Sequence, residues 1–247
     1  MLAVFDLPEL SALLVAVVVA ASALQAATGI GFGVIAGPAL ILAMGTSSAI
    51  QVSILLSMLI AVLVSPSTLP KVNRSLLTPI LIGICIGSPI GAVLFGLLTI
   101  GQLKIGAAIA VGFMALLATG LFERFPIFTR DNGWRRGAIG GVSGILNSTL
   151  AMPGPPIAAY ITAIRQNKET VRATTLTAFL IAYPISFALQ WAVAGLSDTV
   201  MPLVLALALP TAGGTLLGLF LGRLLPEWLF RIAVILLLTA SAVGLLI

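Results

Sequence analysis

The stretch "TGIGFGVIAGP", residues 28–38, lies inside a long apolar run and carries glycine at three alternate positions ahead of a proline. Glycine and proline both weaken helices, so we predict that the helix is interrupted here. A second stretch, "NSTLAMPGPP" at residues 147–156, has the same effect in the other half of the chain, because its prolines remove backbone donors. The fold depends on how these two interruptions lie in the surrounding apolar segments.

Composition indicates a membrane protein. Of the 247 residues, 60% are hydrophobic and 8% are charged, and the mean hydropathy is +1.23. A soluble domain of this size cannot bury so much apolar surface, so the surrounding solvent must be lipid. The basic residues lie in short loops between apolar runs, a pattern that reports membrane orientation. The net charge of +5 therefore does not indicate nucleic acid as a partner.

Six apolar runs are long enough to cross a hydrocarbon core of about 30 Å as helices. Two further pieces, residues 10–45 and 137–164, contain the two interruptions. The second piece is too long for one crossing of about 20 residues and too short for two. The six clear spans are residues 46–64, 76–98, 103–122, 173–195, 200–222 and 228–247.

The distribution of the 12 basic residues distinguishes two arrangements of these eight pieces. If all eight cross the membrane, the basic residues divide equally between the two sides. If both interrupted pieces are re-entrant hairpins, every basic residue except Lys104 falls on one side, as the positive-inside rule requires. The sequence therefore favours hairpins, although residues 10–27 alone are long enough to span.

The predicted fold is an all-α polytopic membrane protein built from two inverted repeats. Each half has one broken, re-entrant hairpin and three transmembrane helices, an odd number of crossings, so the halves must be inverted. Residues 1–123 form the first repeat, 124–136 a basic cytoplasmic linker, and 137–247 the second repeat. Residues 78–98 align weakly with 201–221. The identical positions are Pro79 and Pro202, Gly91 and Gly214, Leu94 and Leu217, and Leu98 and Leu221.

The two interruptions are predicted to bind a small anion. After each one the chain resumes as a half-helix, at residues 33–44 and 155–164, whose free N–H groups and positive dipole end face the interruption. Irregular backbone at membrane depth is tolerated only where it is buried in protein or lines a wet cavity. The predicted substrate-binding residues are Thr28, Gly29, Gly31, Gly33, Gln51, Asn147, Ser148, Thr149, Gly154 and Arg172.

Packing offers an alternative explanation for several of these residues. Small residues in membrane helices most often allow close helix approach, and polar side chains inside spans most often form hydrogen bonds between helices. Arg172, near a helix start, is most simply an interface anchor. The polar positions inside spans to which this applies are Gln51, Ser53, Ser57, Thr175, Ser186 and Gln190.

Two catalytic or channel motifs are excluded. "GVSG" at residues 141–144 has the form used by intramembrane serine proteases, but their general base is histidine and the chain has none. "GIGFG" at residues 29–33 is similar to a potassium filter, which needs four loops around one axis. The chain is therefore not predicted to be an enzyme, and no cofactor or metal is expected.

Two motifs resemble those of the sulfite exporter (TauE/SafE) family: "QAATGIGFGVIAGPALIL" at residues 25–42 and "GGVSGILNSTLAMPGPPIAAYI" at 140–161. "VRATTL" at residues 171–176 is similar to the family segment that follows the second motif. The second motif departs from the usual glycine-rich form through the prolines around Gly154. The resemblance extends over essentially the whole chain.

This resemblance implies export of sulfite, a sulfonate or a similar organic acid by a secondary transporter of the cell inner (cytoplasmic) membrane. An anion-selective channel lined by the two interruptions is the alternative. The expected partners are a small anion and membrane lipids, and a homodimer is compatible with the sequence. Both termini are predicted to lie outside the cell.

The driving force is predicted from an omission. No predicted span carries a titratable side chain at its middle, which is where proton coupling usually resides. An anion leaving a negative-inside cell already gains about 2.3 kcal/mol per charge per 100 mV. Sodium bound by backbone carbonyls and hydroxyls is the coupling that the sequence leaves open.

Overall fold

The computed structural model describes residues 11–29, 32–118 and 131–224. These residues are almost entirely helical, and no strand occurs among them. The helices are α1 (Ala12–Thr28), α2 (Phe32–Met44), α3 (Ser48–Thr68), α4 (Arg74–Leu97), α5 (Ile100–Ala118), α6 (Gly133–Leu150), α7 (Gly154–Ala163), α8 (Lys168–Ala194) and α9 (Val200–Leu224), with a short 3-10 turn at Leu69–Lys71.

Side-chain caps define several helix starts. Ser11 accepts a hydrogen bond from the Leu14 N–H at 3.1 Å. Asparagines occupy the same capping position before α4, α6 and α8, where the amide oxygen accepts from an N–H of the first turn. Such caps satisfy donors that have no partner within the helix. They fix where each helix begins along an otherwise uniformly apolar sequence.

Four of the described helices are long and apolar enough to cross a membrane: Ser48–Lys71, Arg74–Leu97, Lys168–Ala194 and Val200–Gly222. Shorter apolar helices occur at Ala12–Thr28, Phe32–Met44 and Ile100–Met114. The four long helices match the predicted spans 46–64, 76–98, 173–195 and 200–222, and α2 and α7 match the predicted half-helices, to within about five residues. The predicted span 103–122 corresponds to α5, which falls among the shorter apolar helices and is described to residue 118. The predicted span 228–247 and most of the linker 124–136 lie outside the described residues. The all-α membrane fold is confirmed.

Helices α4 and α6 run parallel and pack backbone to backbone. A methyl group added at Gly87 would overlap the carbonyl of Gly141, and one added at Gly140 would overlap the carbonyl of Ile80. Ile145 in turn lies against Gly91. Small residues at one face let two membrane helices approach this closely, and the approach maximises van der Waals contact. This pair joins the helix before the second interruption to a span of the first half.

Helices α1 and α9 form a second pair of the same kind. Gly214 and Gly218 of α9 pack on Val19 and Ala23 of α1, so residue numbers rise together along both helices and the pair is parallel. This pair joins the helix before the first interruption to a span of the second half. Helices α3 and α8 lie in contact with each other, with α3 also packing on α9 and α8 on α4.

Polar contacts gather the loops at one end of the bundle. Lys71 and Glu169 form an ion pair, and Asp131 accepts hydrogen bonds from Arg136 and from the Tyr160 hydroxyl, the latter at 2.6 Å. The hydrogen bond from Arg136 holds the pKa of Asp131 below its ordinary value, so this carboxylate is charged at neutral pH. The ion pair brings the start of α8 to the end of α3, and Asp131 joins the start of α6 to the last turn of α7.

Candidate substrate-binding site

The first interruption separates α1 from α2. Gly29 has a left-handed backbone, with φ of 84°, and its N–H donates to the Gln25 carbonyl at 2.7 Å. Glycine adopts this conformation without strain, and the bond closes the C-terminal end of α1. Helix α2 then begins at Phe32, one residue before the predicted Gly33. Gly31, a predicted site residue, lies outside the described residues.

The second interruption separates α6 from α7. Ala151 has a left-handed backbone, with φ of 59°, and its N–H donates to the Asn147 carbonyl at 2.8 Å. A non-glycine residue in this conformation costs roughly 1–2 kcal/mol, which the surrounding packing must offset. Pro153 precedes α7, which begins at Gly154, one residue before the predicted Pro155.

The two interruptions meet inside the protein. A methyl group added at Gly33 would overlap the Ala151 carbonyl oxygen and would lie 3.6 Å from Cγ of Met152. Between the interruptions lies a small cavity with room for about one water molecule. The residues that line it come from α1, α2, the second interruption, α7 and α8: Gln25, Gly33, Val34, Ala151, Met152, Pro153, Gly154, Pro155, Phe179 and Tyr183.

Backbone donors at this cavity are unevenly distributed. Helix α2 begins with Phe32, Gly33 and Val34, each of which carries an N–H that α2 itself does not use in its first turn. Helix α7 begins Gly154-Pro155-Pro156, so only the glycine offers an N–H there. An anion in the cavity would therefore find its donors mainly at the start of α2.

A buried polar network lies beside the second interruption. The Asn147 amide nitrogen donates to the Ala182 carbonyl at 3.0 Å and to the Ser186 hydroxyl at 2.7 Å. The hydroxyls of Ser148 and Ser186 share a hydrogen bond of 2.6 Å. The Gln190 amide nitrogen donates to the Ser148 carbonyl at 2.8 Å. Helices α6 and α8 are thus joined by fully buried side chains.

The sequence matches the family model described as "Sulfite exporter TauE/SafE" over residues 14–245, nearly the whole chain. The chain belongs to the TauE/SafE sulfite exporter family. No curated protein and no solved structure matches it. Together with the apolar helices, family membership makes this a multi-pass membrane protein of a transporter family whose cargo is sulfur anions such as sulfite. The resemblance seen in the sequence is confirmed.

Within this TauE/SafE chain, two of the predicted site residues, Gly33 and Gly154, line the cavity. Gly29 lies at the end of α1, against the backbone of Arg172. Asn147 and Ser148 belong to the polar network between α6 and α8. Thus two predicted residues line the cavity, two belong to the network and the others lie elsewhere, and their role in binding stays a prediction.

Two predicted threonines use their hydroxyls within the protein. The Thr28 hydroxyl donates to the Leu24 carbonyl at 2.7 Å, one turn back in α1. The Thr149 hydroxyl donates to the Gly91 carbonyl at 3.0 Å and so joins α6 to α4. A hydroxyl has one proton to donate, so either group would have to release its carbonyl before it could donate to a substrate.

Gln51 and Arg172 lie away from the cavity lining. The Gln51 amide nitrogen donates to the Gly195 carbonyl at 2.8 Å, beyond the end of α8. The Arg172 guanidinium donates twice to the Ala26 carbonyl, at 2.9 and 2.7 Å. A cation at the last turn of a helix stabilises the negative end of the helix dipole, so Arg172 caps α1.

The sequence did not single out the wall that α8 contributes to the cavity. Phe179 and Tyr183 are buried, and their rings pack with centroids 5.3 Å apart. Their spacing of four residues places them on one face of α8, but an apolar helix offers many such pairs. Only the packing of α8 against the interruptions selects this one.

Proposed function

We propose that this chain carries a small sulfur-containing oxyanion, such as sulfite or a sulfonate, out of the cell, and that the anion binds between the two interruptions. The observation that carries this proposal is the cavity lined by Gly33 of one interruption and by Ala151 and Gly154 of the other. Helix N-termini bind anions through free N–H groups and the positive dipole end, and α2 directs both at this cavity.

Re-entrant hairpins are part of the proposal. The ion pair between Lys71 and Glu169 supports them, because full crossing of both interrupted pieces would put these residues on opposite sides of the membrane. The hydrogen bond from Tyr160 to Asp131 also supports them. Helix α6 is 18 residues long, about 27 Å, so α7 must turn back for its last turn to reach a residue before α6.

Inverted repeats are supported by the matching helix pairs. The first arm of each hairpin packs in parallel on a span of the other half, as α6 on α4 and α1 on α9. Gly91 and Gly214, which align in the sequence, make equivalent contacts. A methyl at either would lie within about 3 Å of a serine Cβ, at 2.9 Å from Ser148 and 3.0 Å from Ser22. With the three spans per half that the sequence predicts, such a repeat is inverted.

Alternating access is favoured over an open pore. The cavity holds about one water molecule, so the interruptions must separate before a sulfite or sulfonate ion can enter. A carrier that opens to one side at a time has such a closed state, whereas a conducting pore needs a continuous path. Under this proposal the chain lies in the inner membrane. Residues 124–136 and 165–172 are on its cytoplasmic side, and both termini are on the outer side.

Reconstituted vesicles test this function. We expect the purified protein in proteoliposomes to move radiolabelled sulfite or a sulfonate such as sulfoacetate with saturable rates, and to show counterflow when unlabelled anion is loaded on the opposite side. Empty liposomes and chloride are the controls. Current that rises linearly with anion concentration would favour the channel over the carrier. Flux no faster than in empty liposomes for every sulfur anion tested would refute the proposed function.

A further inference from the structure

The polar network between α6 and α8 contains two buried oxygens that have no donor. Among the described residues, neither the Asn147 amide oxygen nor the Gln190 amide oxygen accepts a hydrogen bond. Both side chains are fully buried. Buried polar atoms nearly always have a hydrogen-bond partner. Two acceptors without one in a single network therefore indicate that a small ligand, such as an ion or a water molecule, binds there.

The orientation of both amides is fixed by their nitrogens. Each nitrogen points at a backbone carbonyl, that of Ala182 for Asn147 and that of Ser148 for Gln190. Carbonyl oxygens only accept hydrogen bonds, so reversing either amide would set oxygen against oxygen. The unsatisfied atoms are therefore oxygens, and they must face a donor or a cation.

Further neutral oxygens belong to the same network as these two amides. Ser148 and Ser186 link the amides through hydrogen bonds of 2.6–2.8 Å. Ser143, one helical turn before Asn147 on the same face of α6, has a buried hydroxyl without a partner among the described residues. The network lies at the last turn of α6, where the backbone dipole is negative and attracts a positive charge.

We propose that a sodium ion binds in this network, held by the amide oxygens of Asn147 and Gln190 together with hydroxyl oxygens of Ser148 and Ser186. The ligands are amide and hydroxyl oxygens without a carboxylate, which suits a monovalent cation, whereas Ca²⁺ sites draw on carboxylates. Discontinuous membrane helices use their C-terminal ends in this way to hold sodium. An anion could not satisfy these oxygens, because they cannot donate.

The site is next to the proposed anion cavity. Asn147 and Ser148 lie three to four residues before Ala151, which lines the cavity and whose carbonyl packs directly against Gly33. A bound sodium would place a positive charge near the anion and raise its affinity. This consequence rests on the proposed function, but sodium binding itself does not.

Thermal unfolding of the purified protein tests the site without transport. At equal ionic strength and without substrate, sodium chloride in tenfold excess over its Kd should raise the unfolding midpoint above that in choline chloride by roughly 3–5 °C. The midpoint in potassium chloride, measured in the same way, shows whether the site prefers sodium to potassium. Gln190→Met should lose the sodium shift. Gln51→Met is the matched control and should keep it, because Gln51 also donates to a carbonyl at 2.8 Å but lies outside the network.

Binding of ²²Na⁺ to the wild-type protein gives a second measurement that does not depend on how a variant folds. We expect saturable binding that unlabelled sodium displaces and choline does not. No saturable binding, or an equal midpoint in sodium and choline, would overturn the site and leave water as the occupant. Sodium binding without sulfur-anion flux would overturn the proposed function and leave the site standing.

Discussion

Replacing Gly33 by alanine tests whether the contact between the two interruptions matters for transport. The added methyl would lie 3.0 Å from the carbonyl carbon of Ala151 and closer still to its oxygen. Both partners are backbone, so neither can rotate away, and the interruptions must separate. Overpacking of this kind costs typically 1–3 kcal/mol. We therefore expect Gly33→Ala to lower the free energy of unfolding by about that amount.

Gly37→Ala is the matched control, because it adds the same methyl one turn later in α2. There the methyl would meet Met152 Cε at 3.6 Å and Ser53 Oγ at 3.9 Å, which are ordinary contacts. Sulfite counterflow in proteoliposomes and thermal unfolding in detergent are measured for both variants.

We expect Gly33→Ala to slow counterflow by about fivefold or more at equal reconstituted protein. The added methyl crowds the proposed anion site, and a loss of about 1 kcal/mol of binding is about a factor of five. Gly37→Ala should transport and unfold nearly as the wild type does. If Gly33→Ala lowers the free energy of unfolding but transports as Gly37→Ala does, the contact at Gly33 does not define the site, and its glycine serves packing alone.

Three other predictions address topology, packing and driving force. In a Cys85-free background, cysteines at Asn132 and Asn167 should both label from the cytoplasmic side and one at Asp198 from outside; labelling of Asn132 and Asn167 from opposite sides would refute the hairpins. Tyr160→Phe removes a hydrogen bond to a charged carboxylate and should lower the free energy of unfolding by about 1–2 kcal/mol, with an unchanged denaturation midpoint as the contrary result. At constant sodium and zero membrane potential, an imposed pH gradient should not drive sulfonate uptake, and accumulation under that gradient would reveal a titratable carrier group.

The interruptions could be predicted from the sequence to within one residue. Glycine and proline act on the backbone locally, and where they cluster, as in "TGIGFG" and "MPGPP", the helix is interrupted. Single prolines such as Pro38 and Pro184 lie inside helices instead. The helix pairs also left a signal. Gly83, Gly87 and Gly91 recur at every fourth residue of α4, the spacing that marks a close helix contact in membranes. That spacing shows which face is packed but does not identify the partner.

The side-chain partners at the site were beyond sequence reasoning. From the sequence, Arg172 could be an anion ligand or an interface anchor. In the structure its guanidinium caps α1 through the Ala26 carbonyl. Gln190 was expected to join helices, which is confirmed by its bond to the Ser148 carbonyl. Whether an amide oxygen has a hydrogen-bond donor depends on all of its neighbours, which come from several helices. The residue pattern of one helix therefore cannot predict it.

The glycine-packed pairs restrict how the cavity can open. Each pair buries backbone against backbone, so separating α4 from α6, or α1 from α9, would forfeit many close contacts at once. The two interruptions belong to different pairs, since α1 leads to Gly33 and α6 leads to Ala151. The contact between those two residues is therefore a boundary between two tightly packed units. Under the proposed function, admitting an anion requires the units to move relative to each other as bodies, with each proposed hairpin moving together with the span on which it packs.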